Sequence, residues 1–167
     1  ARCDEPGVLA SGSTSTVITG NGAAVTSDGD SSVVNDGNGA GTVTKGSVSI
    51  VNDGNGAGTY TDTATGLSII NSGNGAGSYT DAHLSVTVDG AGGGSYTNSQ
   101  TGESITITGN GSGTYTAGTV SIVNDGNGAG TYTDTATGLN IVNDGDGSAL
   151  ITSASGSRTV DAEKLPA

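Results

Sequence analysis

Few residues in this chain are of types that perform chemistry, and their spacing limits what they could do. His83 is the single histidine and Cys3 the single cysteine. They lie far apart in the sequence, so neither a Cys-His pair nor a Ser-His-Asp triad can be assembled around them without special pleading. His83 sits in the short polar connector "DAH" and reads as a solvated turn residue. A lone cysteine excludes an internal disulfide framework, leaving Cys3 as a free thiol or a link to another molecule. Paired acids occur twice, Asp28 with Asp30 in "SDGDSS" and Asp144 with Asp146 in "NDGDGS". Close carboxylates with neighbouring carbonyls could take Ca²⁺, but the spacing matches neither an EF-hand loop nor a nonapeptide β-roll, and Asp-Gly clusters also make plain turns. The glycine-rich turns are not phosphate loops, because no Lys-Ser/Thr follows them. Asn110-Gly111-Ser112 matches a glycosylation acceptor. This inventory predicts a protein that is not an enzyme, with no catalytic residues and no cofactor.

The composition narrows the partners. Net charge is −12, and the few basic residues form no patch. Such a surface repels phosphate backbones and anionic lipid heads, which argues against nucleic acid and against membrane insertion. No segment approaches the roughly 18 to 20 apolar residues of a membrane span. The chain has 32 Gly and no Phe, Trp or Met, so a thick globular core cannot be built. Ordered recurrence of Val, Ile and Thr nevertheless points to strands rather than disorder.

What could position any functional residue is a repeat. "VSIVNDGNGAGTYT" occurs at 48–61 and again, identically, at 120–133. Gly-x-Gly turns begin at Gly20, Gly37, Gly54, Gly73, Gly90, Gly109, Gly126 and Gly145, at steps of 17 or 19 residues. Repetition at a short fixed period implies one supersecondary unit stacked on itself. Three segments are expected: an N-terminal arm (1–13), an eight-unit repeat domain (14–157) and a C-terminal tail (158–167), with both prolines outside the repeats.

Each unit reads as strand, turn, strand, turn, with "VSIVN" and "GTYTD" as the strands. The copies "LSVTV" and "SITIT" alternate cleanly and so settle which positions share a face. The resulting inward ladder is Ile50, Tyr60, Ile69, Tyr79, Val86, Tyr96, Ile105, Tyr115, Ile122, Tyr132 and Ile141. The outward row is Thr42, Thr44, Thr59, Thr61, Ser78, Thr80, Ser95, Thr97, Thr114, Thr116, Thr131 and Thr133. The fold class expected is all-β: a β-solenoid of about eight 17–19-residue strand-turn-strand coils, in which like residues stack about 4.8 Å apart. The alternative is an antiparallel β-meander or sandwich of the same hairpins. A serine column at 15, 32, 49, 68, 85, 104 and 121 favours coils, since stacking like on like explains it.

Two functions follow from this architecture. Neither terminal segment looks like a cap, so open coil ends invite end-to-end assembly. The "GNGA" turns at 54–57 and 126–129 resemble those of the curli class of bacterial functional amyloids, which are secreted, acidic and built of strand-turn-strand repeats. The resemblance implies a structural protein that polymerises with itself into a fibre or biofilm matrix. It implies an extracellular or cell-surface, secreted location, to which the opening "ARCDEPG" adds the look of a processed form. The alternative is ice binding: the outward Thr-x-Thr row resembles the flat face of β-solenoid antifreeze proteins, with an ice surface as the partner.

Overall fold

The computed structural model describes residues 5 to 161 and contains strands and turns but no helix. Cys3 lies outside the described residues. The chain divides into two units, Ala1–Ala82 and His83–Ala167, each of which carries nine strands among its described residues.

The first unit runs β1 (Gly7–Ser11), β2 (Thr14–Ile18), β3 (Ala24–Asp28), β4 (Ser31–Asn35), β5 (Gly41–Lys45), β6 (Val48–Asn52), β7 (Ala57–Asp62), β8 (Leu67–Ser72) and β9 (Ala76–Thr80). The second runs β10 (Leu84–Asp89), β11 (Gly94–Asn98), β12 (Glu103–Ile107), β13 (Gly113–Ala117), β14 (Val120–Asn124), β15 (Gly130–Asp134), β16 (Leu139–Asn143), β17 (Ser148–Ser153) and β18 (Gly156–Asp161). Within each unit every strand pairs antiparallel with the next in sequence, giving an up-and-down meander. β1 and β18 carry the ladder beyond the repeat body into the segments expected to be arm and tail.

Turn chemistry explains why the units form hairpins rather than coils. At one edge Lys45 and Val48 are joined by Gly46 and Ser47 alone, with Gly46 at φ 56°. A glycine at the first central position of a two-residue loop is the type II′ signature, whose twist matches that of paired strands. The longer connector closes just as locally: the Gly66 N–H donates to the Asp62 carbonyl at 2.9 Å, while the Asp62 carboxylate takes the Ala64 N–H at 3.0 Å. Both connectors therefore reverse the chain at once, leaving no route to a second layer.

The consequence for register corrects the expectation of like-on-like stacking. Tyr60 does not lie beside another Tyr; it pairs with Ile50 on one side and Ile69 on the other. The serine column finds its reason in the same pairing. Ser32, Ser49 and Ser68 face Thr44, Thr61 and Thr80, so one row of hydroxyls alternates between the two strand types of the repeat. Opposed hydroxylated side chains are favourable cross-strand neighbours in any antiparallel pair.

There is no inward face either. No hydrophobic side chain is buried among the described residues: Ile50 is 43% and Ile69 41% exposed. The substantial strand contacts within each unit are all between sequence neighbours, which defines a single layer with solvent on both sides.

What replaces a core is stacking of turns along both edges. At the tight-turn edge, the Thr63 N–H donates to the Ser47 carbonyl at 3.0 Å and the Ser47 hydroxyl to Asp62 Oδ1 at 2.6 Å. The Thr135 N–H meets the Thr119 carbonyl, and the Thr119 hydroxyl meets Asp134, in the same way. At the opposite edge successive Gly-x-Gly loops within each unit lie against one another. A Cβ placed on Gly54 would sit 2.9 Å from the Ala40 nitrogen, and φ there is 79°. Gly66, at φ 73°, has open space around it. Gly66→Ala is therefore expected to cost only the backbone strain of a left-handed alanine, about 1 kcal/mol. Gly54→Ala adds a backbone clash and should cost about 2 kcal/mol or more. Urea unfolding followed by circular dichroism checks the order, and equal losses would show that the loops do not bear on one another.

Candidate functional site

Antiparallel partners point to the same side of a sheet, so the register sorts every strand residue to one face. Each unit has one face with an apolar middle row, called face A of that unit, and in the first unit the row reads Val33, Val43, Ile50, Tyr60, Ile69 and Tyr79. In the second unit it reads Val86, Tyr96, Ile105, Tyr115, Ile122, Tyr132, Ile141 and Ile151, ending at Arg158. Within each unit all the residues expected in the ladder thus share a face, but that face is open to solvent.

Beside the apolar row runs a row of small residues next to the Gly-x-Gly loops. Gly58 lies between Asn52 and Asn71, and Gly130 between Asn124 and Asn143. Each glycine floors an open notch walled by the ladder. One, of ≈ 290 Å³, is bounded by Ile50, Tyr60 and Ile69, and another, of ≈ 270 Å³, by Ile122, Tyr132 and Ile141. A third, of ≈ 430 Å³, lies over Gly94, where Val88 and Ile107 replace the asparagines. These floors cannot be raised, since a Cβ on Gly58 would lie 2.7 Å from the Val51 carbonyl oxygen.

On the tight-turn side of face A stand Asp28, Lys45 and Asp62 in the first unit, and Glu103 and Asp134 in the second. Two tyrosines reach toward acids. The Tyr79 hydroxyl donates to Asp81 Oδ2 at 2.8 Å, and that bond raises its pKa. The Tyr115 phenol is raised by its hydrogen bond to Glu103. Both phenols stay protonated, and each hydroxyl is tethered to its acid.

Face B carries the expected outward row. Thr44, Ser49, Thr61, Ser68 and Thr80 follow one another across strands, as do Ser85, Thr97, Ser104, Thr116, Ser121 and Thr133. A parallel row mixes Thr42, Thr59, Ser78, Ser95, Thr114 and Thr131 with Val and Ile. The serine column and the Thr-x-Thr row, separate in the sequence, meet here.

The acid pairs serve turns. Asp28 Oδ1 accepts the Ser13 hydroxyl at 2.6 Å, and Asp30 follows Gly29 in a two-residue turn. Asp144 accepts the Ser148 hydroxyl at 2.7 Å and the Asp146 N–H at 3.3 Å. Among the described residues no three of His, Cys, Asp and Glu are grouped to share a metal ion. The His83 carbonyl accepts the Ser99 N–H at 2.9 Å, continuing the stacked turns.

No family model and no curated protein sequence matches the chain. Solved structures do resemble it. The TCP10 domain of Danio rerio CPAP, in complex with a peptide of Danio rerio STIL, matches with a TM-score of 0.53 at 14% identity, over 95% of each chain. The G-box domain of the microcephaly protein CPAP, whose structural analysis suggests a role in centriole elongation, matches with a TM-score of 0.51 at 14% identity. That match covers 92% of this chain and 99% of the other. The likeness is one of fold. It overturns two expectations drawn from the sequence. A homopolymer as sole partner gives way, because the similar domain holds a peptide of a different protein. The expected secreted, extracellular location gives way as well, because the similar domain is one whose structural analysis suggests a role in centriole elongation.

Carboxylates fixed in the turns give the fold a pH dependence. Asp62 is lowered by the Ser47 hydroxyl and the Ala64 N–H, Asp89 by the Ala91 and Gly93 N–H groups, and Asp134 by the Thr137 and Thr119 hydroxyls. The neighbouring Asp146 carboxyl and the Ser148 hydroxyl bring Asp144 to about 2. A group lowered in the folded state stabilises fully above its unfolded pKa, near 4, and loses that contribution as pH falls through the folded value. Tm is expected to hold steady between about pH 5 and 7 and to drop from about pH 4 to 2. A Tm that climbs on acidification would mean that relieving the net charge outweighs the turn contacts.

Proposed function

We propose that the chain is a non-enzymatic scaffold whose face A holds an extended segment of a partner protein, one that places basic side chains between apolar ones. The observation that carries this reading is the Ile/Val/Tyr row left open to solvent between glycine-floored notches and a row of acids. An apolar strip exposed on a soluble sheet is a surface for an occupant. Tyrosines, with few rotatable bonds, lose little entropy on contact and are frequent anchors of interfaces. Asp28, Asp62, Glu103 and Asp134, on a chain of net charge −12, favour a cationic partner and speed its approach. A similar solved domain holds a peptide of another protein, which supports the same use of this fold.

The test uses synthetic peptides of alternating Lys and Leu against matched Glu/Leu peptides, read by fluorescence polarisation. The basic series should bind and weaken as salt rises. Tyr132→Ala on face A should reduce affinity about tenfold, or about 1.4 kcal/mol, whereas Thr131→Ala on the far face should leave it unchanged. Equal binding of both peptide series, or equal effects of the two substitutions, would refute the proposal.

A second reading rests on face B. Its hydroxyl row repeats about every 4.8 Å across strands, with an array about 6.8 Å apart along them, a periodicity suited to ordered water at an ice surface. Thermal hysteresis in a nanolitre osmometer, lost in Thr116→Asp, is the expected result; crystals growing unfaceted would dispose of it.

A further inference from the structure

We propose that the Gly-x-Gly loops include sites of spontaneous self-modification, at which Asn21, Asn74 and Asn110 convert their side-chain amides to carboxyls while Asn38, Asn55 and Asn127 are protected. All six are followed by glycine, so the next backbone nitrogen meets no side chain as it approaches the amide carbon. What separates the two sets is the residue that opens the loop.

In the first set the loop opens with Thr or Ser, and the Asn oxygen itself collects the loop's donors. Asn110 Oδ1 accepts the Ser112 N–H at 3.0 Å, the Ser112 hydroxyl at 2.8 Å and the Thr108 hydroxyl. Asn21 Oδ1 accepts the Ala23 N–H at 3.1 Å and the Thr19 hydroxyl at 2.6 Å, and Asn74 Oδ1 accepts the Ala76 N–H at 3.0 Å. In the second set the loop opens with Asp, whose carboxylate does this work. Asp53 Oδ1 takes the Asn55 N–H at 2.7 Å and the Ala57 N–H at 3.0 Å, and Asp36 and Asp125 repeat the pattern. Among the described residues nothing donates to Oδ1 of Asn38, Asn55 or Asn127.

The chemistry makes that difference count. The nitrogen of the following glycine gives its proton to solvent base and bonds to Cγ of the Asn, and the carbonyl electron pair moves onto Oδ1. Collapse of this tetrahedral centre breaks the Cγ–Nδ2 bond; the nitrogen takes up a proton and leaves as ammonia. Water then opens the five-membered imide at either carbonyl, giving Asp or isoaspartate, so one water is consumed for each ammonia released. Hydrogen bonds aimed at Oδ1 stabilise the charge that develops there. In the Asp-opened loops the donors go to the Asp carboxylate instead, so that stabilisation is missing at the Asn. At Asn110 one contact acts the other way, since the Gly111 N–H donates to the Thr108 carbonyl at 3.0 Å and must be released before attack.

The eighth loop already shows the Asp product in place. Asp146 stands where six of the other loops have Asn, and its Oδ1 accepts the Ser148 N–H at 2.9 Å. Conversion to Asp therefore preserves the loop, whereas isoaspartate lengthens its backbone.

The test is peptide mapping by mass spectrometry of protein aged at neutral pH and 37 °C, with all six sites compared within one chain. Asn21, Asn74 and Asn110 should convert about tenfold faster than Asn38, Asn55 and Asn127, the ratio expected when about one net hydrogen bond is gained at the transition state. In guanidinium the six rates should converge. Thr108→Asp should slow Asn110, and Asp53→Thr should quicken Asn55, with circular dichroism confirming that both variants fold. Equal rates in the folded chain, faster conversion in the Asp-opened loops, or exchanged residues that leave the rates unmoved would overturn the proposal.

Discussion

Everything in this molecule depends on the backbone ladder, because among the described residues no buried cluster of side chains exists to share the work. Ordering a residue costs on the order of 1 to 2 kcal/mol of chain entropy, which burial of large apolar groups normally offsets. Here Ile50 and its neighbours stay close to half exposed. Compensation falls to cross-strand pairs such as Ile50 with Tyr60 and to bonds that carry the ladder through the turns, such as Thr63 to Ser47. Glycine-rich loops would ordinarily be the soft part of a sheet. Packed one against the next, and capped by Asp36, Asp53 or Asp125, they become a second seam of order parallel to the strands.

The same constraint produces the candidate binding face. A two-layer protein would have buried the Ile/Tyr row; a single layer leaves it available. The glycines at 58, 94 and 130 were read in the sequence only as strand starts, yet their close approach to the opposing carbonyl fixes the depth of the notches. Acids in the tight turns have a double use: they tie successive turns together and they line the apolar row with negative charge.

The strands, the two kinds of turn and the division of residues between faces were legible in the sequence, because alternation in "LSVTV" and "SITIT" depends only on the two-residue pleat. Coil against hairpin was not, because period two is common to both. The deciding signal was present in "KGS" and "AGT": a glycine opening a two-residue loop specifies chain reversal, and weighing it above the serine column would have selected the meander. The openness of the face was legible only indirectly. A chain with no Phe, Trp or Met can supply a ladder, and a second layer to cover it would have needed apolar residues that the composition lacks. Nor could spacing alone show that Asp28 is engaged by Ser13, which turns a candidate metal ligand into a clasp between turns.

Because within each unit a strand touches its sequence neighbours and a turn leans on the turn before it, a hairpin is a complete increment of the structure. Insertion or loss of one repeat, whether of 17 or 19 residues, changes the length of a unit by two strand spacings, about 9.6 Å, and leaves every remaining contact as it was. A gene that duplicates such a segment therefore lengthens a ruler without having to redesign it. The two identical fourteen-residue stretches are what such growth by copying leaves behind.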